Sequence, residues 1–249
     1  MPRGPTPKQR ADLALVARGL APSRARAEAL ILEGLVRSGD RPVAKPGDLI
    51  AADAPLHVEG SDHPYVSRGG VKLAAALDAF GIQPAGLVCL DIGASTGGFT
   101  DCLLKRGATR VWAVDVGYGQ FAWELRNDPR VRLLERANIR TLPRAAIADA
   151  IDLVVIDVSF ISLRLILRKT VEFLEPDGRV IALVKPQFEV GREHVGGGGI
   201  VRDPDQRAQA VADVLAAAAA AGLRGTGTIP SPIQGRDGNH EYLIALTRA

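Results

Sequence analysis

The chain is poor in cysteine and has no apolar run long enough to cross a membrane. Its two cysteines, Cys89 and Cys102, belong to no CxxC motif and no Cys/His cluster, so we expect neither a disulfide framework nor a zinc site. The longest apolar run, residues 214–221, is mostly alanine and too short for a bilayer. Residues 1–8 lack the apolar segment of a signal peptide. We therefore expect a cytoplasmic protein with no metal and no membrane partner.

The composition is that of a folded protein with a slightly basic balance. The chain has 249 residues, of which 47% are hydrophobic. Its mean hydropathy is +0.08. This is enough to bury the core of one large domain and a small one. The net charge of +3 and the pI of about 9.1 are compatible with a nucleic-acid partner but do not establish one.

The N-terminal quarter has the pattern of a small basic domain over residues 1–60. A helix is predicted over residues 8–18, a second between Ser23 as N-cap and Gly34, and short strands near residues 35–36, 43–44 and 56–58. Residues 1–37 carry seven Lys or Arg against three acids. Such a surface is often only solvated, but the order of elements favours RNA binding. The predicted RNA contacts are Arg10, Arg18, Arg24, Arg26 and Lys45.

After a predicted linker at residues 61–66, strand and helix patterns alternate from residue 67 to residue 249. This alternation predicts an α/β fold with a doubly wound, mainly parallel sheet. The last two strands are joined by the turn-rich residues 230–239, too few for a crossover helix, so the terminal strand should be antiparallel. A Rossmann-like sheet with a terminal antiparallel strand is typical of S-adenosylmethionine (SAM) methyltransferases. The predicted strands are residues 87–92, 111–116, 131–134, 153–158, 180–184, 225–229 and 242–246; predicted helices include residues 97–106, 161–175 and 204–221.

A glycine-rich loop follows the first of these strands. Its glycines allow a tight turn and a close backbone approach to a ligand at a helix N-terminus. The pyrophosphate-binding pattern G-x-G-x-x-G is absent, and an acid stands two residues before the first glycine. Because SAM carries an ammonium group and no phosphate, this favours SAM over a dinucleotide. The predicted cofactor-binding residues of this loop are Asp91, Gly93, Ser95, Thr96, Gly97, Gly98 and Phe99.

Two polar residues after the next strands complete the predicted cofactor site. Asp115 ends the second strand, where an acid can accept both ribose hydroxyls, and its spacing from Asp91 suits one βαβ step. Asn138 follows the third strand and is interpreted either as an adenine-side contact or as a turn residue.

Two carboxylates and two lysines lie at or beside the ends of predicted elements. Asp157 and Lys185 end adjacent strands, at the edge where open α/β sheets bind ligands. Lys72 lies in the first turn of a helix whose core stripe leaves it outside, so alone it is interpreted as a surface residue. Glu241 begins the final strand, and alone it is typical of an edge-strand charge.

Several segments together resemble the TlyA, or hemolysin A, family. Residues 21–31, 34–36 and 43–48 resemble the S4-like RNA-binding domain of ribosomal proteins and pseudouridine synthases. The segments 67–73, 90–99, 155–160, 184–189 and 240–242 resemble FtsJ-type rRNA 2′-O-methyltransferases. The resemblance covers nearly the whole chain, in order. It implies a catalytic tetrad at Lys72, Asp157, Lys185 and Glu241, and methylation of a cytidine 2′-hydroxyl in the rRNA of one or both ribosomal subunits.

The implied chemistry makes Lys185 the candidate general base. To act near neutral pH a lysine must lose roughly three units of pKa, about 4 kcal/mol. Burial and Lys72 favour this, whereas the carboxylates oppose it and are expected to orient the lysines. Residues 196–199, four glycines, are interpreted equally well as a lid hinge or a passive linker. Two alternatives are a membrane-active hemolysin, which the sequence disfavours, and a non-catalytic RNA-binding protein.

Overall fold

A computed structural model of the chain describes residues 7–32, 34–58, 63–235 and 238–249. The chain divides into two compact units, Met1–Arg68 and Gly69–Ala249. Part of the predicted linker, residues 61 and 62, lies outside the described residues.

Unit 1 is a small α+β structure with its own apolar core. Strands β1 and β4 pair antiparallel, and β2 pairs antiparallel with both β3 and β5. The two helices bury Leu15 and Ile31 against Val36 and Leu56, which excludes water from the centre of the unit. The elements are β1 (Lys8–Arg10), α1 (Ala11–Ala17), α2 (Arg24–Leu32), β2 (Val36–Ser38), β3 (Arg41–Pro42), β4 (Leu49–Ala51) and β5 (Leu56–Val58).

Two sequence predictions for unit 1 are wrong in detail. The first helix begins at Ala11, because Lys8–Arg10 is extended and pairs with Leu49–Ala51. Residues 43–44 form no strand. Instead, the Asp48 carboxylate accepts the backbone N–H groups of residues 44 and 45. Such a side-chain bond competes with strand pairing and closes a turn.

Unit 2 is built on a seven-stranded sheet in the order β11-β12-β10-β9-β6-β7-β8. Strand β12 runs antiparallel to both of its neighbours, and the pairs among β6 to β10 are parallel. The predicted fold class is confirmed. The strands are β6 (Val88–Ile92), β7 (Arg110–Val114), β8 (Val131–Leu134), β9 (Ile151–Ile156), β10 (Leu174–Val184), β11 (Leu223–Pro230) and β12 (Tyr242–Arg248). The helices are α3 (Gly69–Phe80), α4 (Gly98–Lys105), α5 (Trp123–Arg126), α6 (Leu167–Thr170), α7 (Pro186–Glu189) and α8 (Pro204–Ala220).

The sheet is buried on both faces, which explains why its strands are almost continuously apolar. Val154 and Ile156 of β9 pack in one cluster with Val214 of α8. The alternate residues, Leu153 and Val155, point to the opposite face and are equally buried. Apolar burial on both faces fixes the strand register and with it the positions of the residues that follow each strand.

One predicted helix of unit 2, residues 161–175, is largely absent. It is reduced to a 3₁₀ turn at Leu163–Leu165 and the single turn of α6, and β10 already begins at Leu174. The Glu189 carboxylate accepts the backbone N–H of Leu163, which holds the turn in place. Pairing of Leu174 with Ile151 then draws the following residues into the sheet. Both interactions are long-range and override local helix propensity.

Candidate active site

Asp157 and Lys185 form an ion pair at the carboxyl edge of the sheet. Each directly follows its strand, β9 or β10, and Lys185 Nζ lies 2.6 Å from Asp157 Oδ1. Lys185 Nζ also donates a hydrogen bond to Ser159 Oγ at 2.9 Å. Because β9 and β10 are parallel neighbours, the residues that follow them are brought together at one edge. The structure thus brings together the two residues that strand-end position had singled out.

Lys72 and Glu241 form a second ion pair, which is buried. Lys72 Nζ donates to Glu241 Oε2 at 2.5 Å, and both side chains are at most one-tenth exposed. Lys72 lies in the first turn of α3, and Glu241 directly precedes β12. Neither residue is a surface charge, although the local pattern of each, taken alone, is typical of one. The α3 face that carries Lys72 packs toward β12, and β12 lies inside the sheet between β10 and β11.

The two ion pairs influence each other electrostatically. Burial opposes the charge of Asp157, but the ammonium groups of Lys185 and Lys72 outweigh it and hold the pKa of Asp157 below its ordinary value. Burial likewise opposes the charge of Lys185. It is outweighed by Asp157 and Glu241, which raise the pKa of Lys185. Of the opposing influences that the sequence indicated, the two carboxylates exceed desolvation in the protein alone, so the pKa of Lys185 is raised and not lowered.

Asp91 is a buried carboxylate with an unused oxygen. It lies in β6 with no exposed surface, and its Oδ2 accepts a hydrogen bond from Thr100 Oγ1 at 2.6 Å. Its Oδ1 has no hydrogen-bond partner among the described residues. Burial, only partly offset by Thr100, raises the pKa of Asp91 to about 7. A bound cation would satisfy the free oxygen and restore the charged form.

The glycine loop after Asp91 packs against the loop that begins at Asp157. A Cβ on Gly93, whose φ is +86°, would overlap the backbone oxygen of Asp157. The backbone N–H of Asp157 donates to the oxygen of Ile92 at 2.9 Å. Gly97 has φ +96°, and a Cβ on it would overlap the side chain of Leu125. The missing side chain at Gly93 allows the glycine loop and the loop that begins at Asp157 to touch directly.

Asp115 follows β7 beside this loop. Its carboxylate accepts the backbone N–H groups of Ser95 at 2.8 Å and Gly117 at 2.6 Å. Ser95 has φ +48°, which the bond to Asp115 helps to hold. Asp115, Ser95 and Gly117 line a small open recess. A carboxylate at this edge remains able to accept hydroxyl groups of a ligand through its other lone pairs.

The remaining predicted cofactor residues differ in accessibility. Thr96 is half-buried, Gly98 begins α4, and Phe99 is buried in the first turn of that helix. Asn138 is exposed, and its side-chain oxygen accepts the backbone N–H of Arg140 at 3.0 Å. This hydrogen bond is the one expected of a turn residue.

The predicted RNA-binding arginines of unit 1 fall into two classes. Arg10 and Arg24 are about half exposed, and both pair with the buried carboxylate of Asp12. Arg18 donates to three backbone oxygens in residues 51–54, and Arg26 to those of residues 65 and 66. The first pair presents guanidinium groups at the surface, whereas the second tightens unit 1 itself. Lys45 is exposed in the turn closed by Asp48.

Two residues that the sequence patterns did not single out lie at the edge of the site. Phe160 is 91% exposed, with φ +65° and its ring 5.2 Å from that of Phe188. Asn239 is buried two residues before Glu241, and its amide bonds the backbone of Gly199 and Val201. It therefore anchors one end of the four-glycine segment. The sequence signal for Phe160 is its place directly after Asp-Val-Ser at a strand end, where a buried aromatic residue is not expected.

Two family models match successive parts of the chain. The model of the FtsJ-like methyltransferase family matches residues 65–248, and that of the S4 domain matches residues 9–54. The chain belongs to the FtsJ-like methyltransferase family. The relatives of this chain include the Mycobacterium tuberculosis 16S/23S rRNA (cytidine-2′-O)-methyltransferase TlyA. The two are 50% identical over 96% of this chain and 90% of that protein.

Solved structures share the fold of this chain. A Streptococcus thermophilus protein described as a hemolysin is 42% identical, with a TM-score of 0.77 over 98% of this chain and 90% of that one. A Listeria monocytogenes SAM-dependent methyltransferase, 16% identical, shares the fold with a TM-score of 0.55 over 74% of this chain and all of that one. Among the described residues, the helices include none of the length and hydropathy required to span a membrane.

Proposed function

We propose that the protein transfers a methyl group from SAM to the 2′-hydroxyl of a cytidine in ribosomal RNA. The observation that carries this proposal is the direct contact between the glycine loop after Asp91 and the loop that begins at Asp157. Gly93 packs there on the backbone of Asp157. A methyl donor held by the loop would lie beside the Lys185–Asp157 pair. Family membership and the relatives' rRNA chemistry support the same assignment.

The residues present fit SAM. Asp91 offers a buried carboxylate oxygen to a cation, Gly93 and Gly97 leave room for close backbone approach, and Asp115 can accept ribose hydroxyls. SAM supplies a methyl group on a positively charged sulfur. We infer that Ser95, Thr96, Gly98 and Phe99 shape the loop around it. The side-chain oxygen of Asn138 is used in its own turn, so Asn138 could contact the adenine only through its amide nitrogen.

The tetrad would manage the proton of the 2′-hydroxyl. In the protein alone Lys185 holds its proton tightly because Asp157 and Glu241 oppose its release. Beside a bound positive charge Lys185 would release that proton to solvent more readily, and the neutral amine could then accept the proton of the 2′-hydroxyl as its oxygen takes the methyl group. Asp157 and Ser159 fix its Nζ at the point of transfer. Lys72 and Glu241 would hold α3 and β12 around the ribose, so that the 2′-oxygen and the methyl group are aligned.

RNA recognition would be divided between the two units. Arg10 and Arg24 of unit 1 offer exposed guanidinium groups to phosphates. Phe160 of unit 2 offers an exposed ring on which a base can stack. We propose the division into an RNA-binding domain at residues 1–60, a linker at 61–66 and a methyltransferase domain at 67–249. The substrate would be rRNA within a ribosomal subunit, in the cytoplasm.

One assay tests this proposal. Purified small and large ribosomal subunits, and free rRNA, are incubated with methyl-labelled SAM and either wild-type protein, Lys185→Ala or Lys105→Ala. Lys105 pairs with Asp101 at the far end of α4 and serves as the matched lysine control. We expect label on a cytidine ribose with wild type and Lys105→Ala, and none with Lys185→Ala. RNA binding without label from wild type on any substrate would instead support a non-catalytic RNA-binding protein.

A further inference from the structure

Glu189 is a buried carboxylate that the chemistry above does not use. Its side chain is 1% exposed, at the end of the single turn α7 that follows Lys185. Oε2 accepts a hydrogen bond from Ser162 Oγ at 2.5 Å, and Oε1 accepts one from the backbone N–H of Leu163 at 2.8 Å. A carboxylate with both oxygens committed to one turn is a specific connection and not a solvated charge.

These hydrogen bonds join the two loops that carry the ion pair. The first loop, residues 157–163, follows β9 and bears Asp157 and Ser159. The second, residues 185–189, follows β10 and begins with Lys185. At one end the loops are joined by the contacts of Lys185 with Asp157 and Ser159. At the other end Glu189 joins them, and Arg164 adds a bond to the backbone oxygen of Glu189 at 3.0 Å.

The loop between these two connections contains a residue in an unfavourable conformation. Phe160 has φ +65°, a region that bulky side chains rarely adopt, and its ring is almost fully exposed. Such a conformation persists only where the surrounding structure holds it, at a cost of order 1–3 kcal/mol. The far connection at Ser162 and Leu163 lies two residues beyond Phe160, so it is placed to hold this part of the loop.

We propose that Glu189 is a positioning residue for methyl transfer, which fixes Ser159 and Phe160 relative to Lys185. The inference rests on the proposed function. Without Glu189 the residue 157–163 loop would keep its strand-end anchor at Asp157 but lose its far anchor. Ser159 would then fail to hold the Lys185 ammonium, and Phe160 would lose its place beside Phe188. Small displacements of this kind reduce the rate of a positioned reaction far more than they reduce binding.

The variants are chosen by which hydrogen bonds of Glu189 they remove and which they keep. Glu189→Ala removes both hydrogen bonds. Glu189→Gln keeps an oxygen for the Leu163 amide and offers an N–H to Ser162 Oγ. Glu189→Asp keeps the charge but is one methylene shorter and cannot reach both partners. Ser162→Ala removes one bond from the opposite side. Glu172→Ala, in an exposed pair with Lys169, is the matched control.

The experiment measures kcat, the KM for rRNA, the Kd for SAM and the melting temperature of each full-length variant. For Glu189→Ala we expect kcat to fall about 10- to 100-fold, with the SAM Kd within about twofold of wild type. Glu189→Asp should behave similarly. Glu189→Gln should recover most of kcat, and Glu172→Ala should match wild type. Hydrogen exchange of the Leu163 amide should accelerate in Glu189→Ala, while exchange in β6 stays unchanged.

Three outcomes would overturn the inference. The first is a folded Glu189→Ala with kcat within twofold of wild type. The second is a Glu189→Gln as impaired as Glu189→Ala. The third is a parallel loss of SAM binding, melting temperature and kcat, which would indicate a merely structural residue. If Glu189→Ala does not fold, an unimpaired Ser162→Ala overturns it. Failure of wild type to methylate any rRNA would instead refute the proposed function.

Discussion

Lys72 and Glu241, 169 positions apart in the chain, form a buried ion pair with a nitrogen–oxygen distance of 2.5 Å. The pair joins the first turn of α3 to the start of β12. A buried pair of this kind contributes little net stability when compared with apolar residues of similar size, because both charges lose their hydration. Its retention in the interior therefore points to a role in arranging the site.

A double-mutant cycle should separate this role from stability. Lys72→Met or Glu241→Gln alone leaves a charge or polar group without its partner, and each should cost about 3–5 kcal/mol of unfolding free energy if the remaining charge stays buried. The double variant should recover much of that loss, with a coupling energy of 1 kcal/mol or more. Methyltransferase activity should remain absent in all three variants. Recovery of activity together with stability in the double variant would show that the pair is only structural.

The raised pKa of Lys185 predicts a rate that increases with pH. A general base must be deprotonated, and Asp157 and Glu241 keep Lys185 protonated through the neutral range. With saturating SAM, kcat/KM for rRNA should rise up to about tenfold per pH unit between pH 6 and 8. Asp157→Asn removes the largest of the opposing charges and should move the profile to lower pH. A wild-type plateau that begins below pH 7 would contradict this assignment.

The strand pattern alone was enough to predict the fold class and the positions of Asp157 and Lys185 at adjacent strand ends. Both follow apolar runs that can only be buried strands, and parallel neighbours bring their ends together whatever else the chain does. The burial of Lys72 could not be predicted in this way. The face that a helix presents to the core depends on which strand it packs against, and β12 lies at the other end of the chain.

The direction of the Lys185 pKa shift was likewise beyond the sequence. It is a sum of burial and several charges of opposite sign, and the sign of the sum depends on distances of a few ångströms. The sequence supplied the charges correctly but not the distances. The loop at residues 161–163 escaped prediction for a related reason, because the carboxylate that holds it comes from Glu189 on another element.

Asp91 should make the protein less stable at alkaline pH in the absence of SAM. Its pKa is about 7 in the folded protein against 3.8 when unperturbed, so the folded state binds the proton more tightly. The stability from this group is complete below pH 4 and is lost as pH rises through 7. Asp91→Asn should therefore be more stable than wild type at pH 8, by at most about 4 kcal/mol. Melting curves at pH 5 and pH 8 measure this.

The same substitution should weaken SAM binding, because the neutral amide offers no charge to the ligand's ammonium group. We expect a loss of tenfold or more in affinity at pH 8, measured by calorimetry. Thr100→Val removes the hydrogen bond that favours the charged form of Asp91 but keeps the carboxyl group, so it should weaken SAM binding less than Asp91→Asn does. Unchanged SAM affinity in Asp91→Asn would exclude Asp91 from the cofactor site.

The two classes of arginine in unit 1 should separate RNA affinity from stability. Arg24 is half exposed, and its Nε pairs with Asp12 and Glu28. Its guanidinium lies at the surface, so Arg24→Ala should weaken rRNA binding and reduce the salt dependence of log Kd by about one unit. Arg18 donates to three backbone oxygens, and Arg18→Ala should cost about 1–3 kcal/mol of stability in unit 1. Its RNA affinity should stay near wild type at temperatures where the unit is folded. Filter binding from low to high salt and thermal unfolding of the full chain measure both. An Arg18→Ala variant that loses the salt slope while keeping its melting temperature would reverse the two roles.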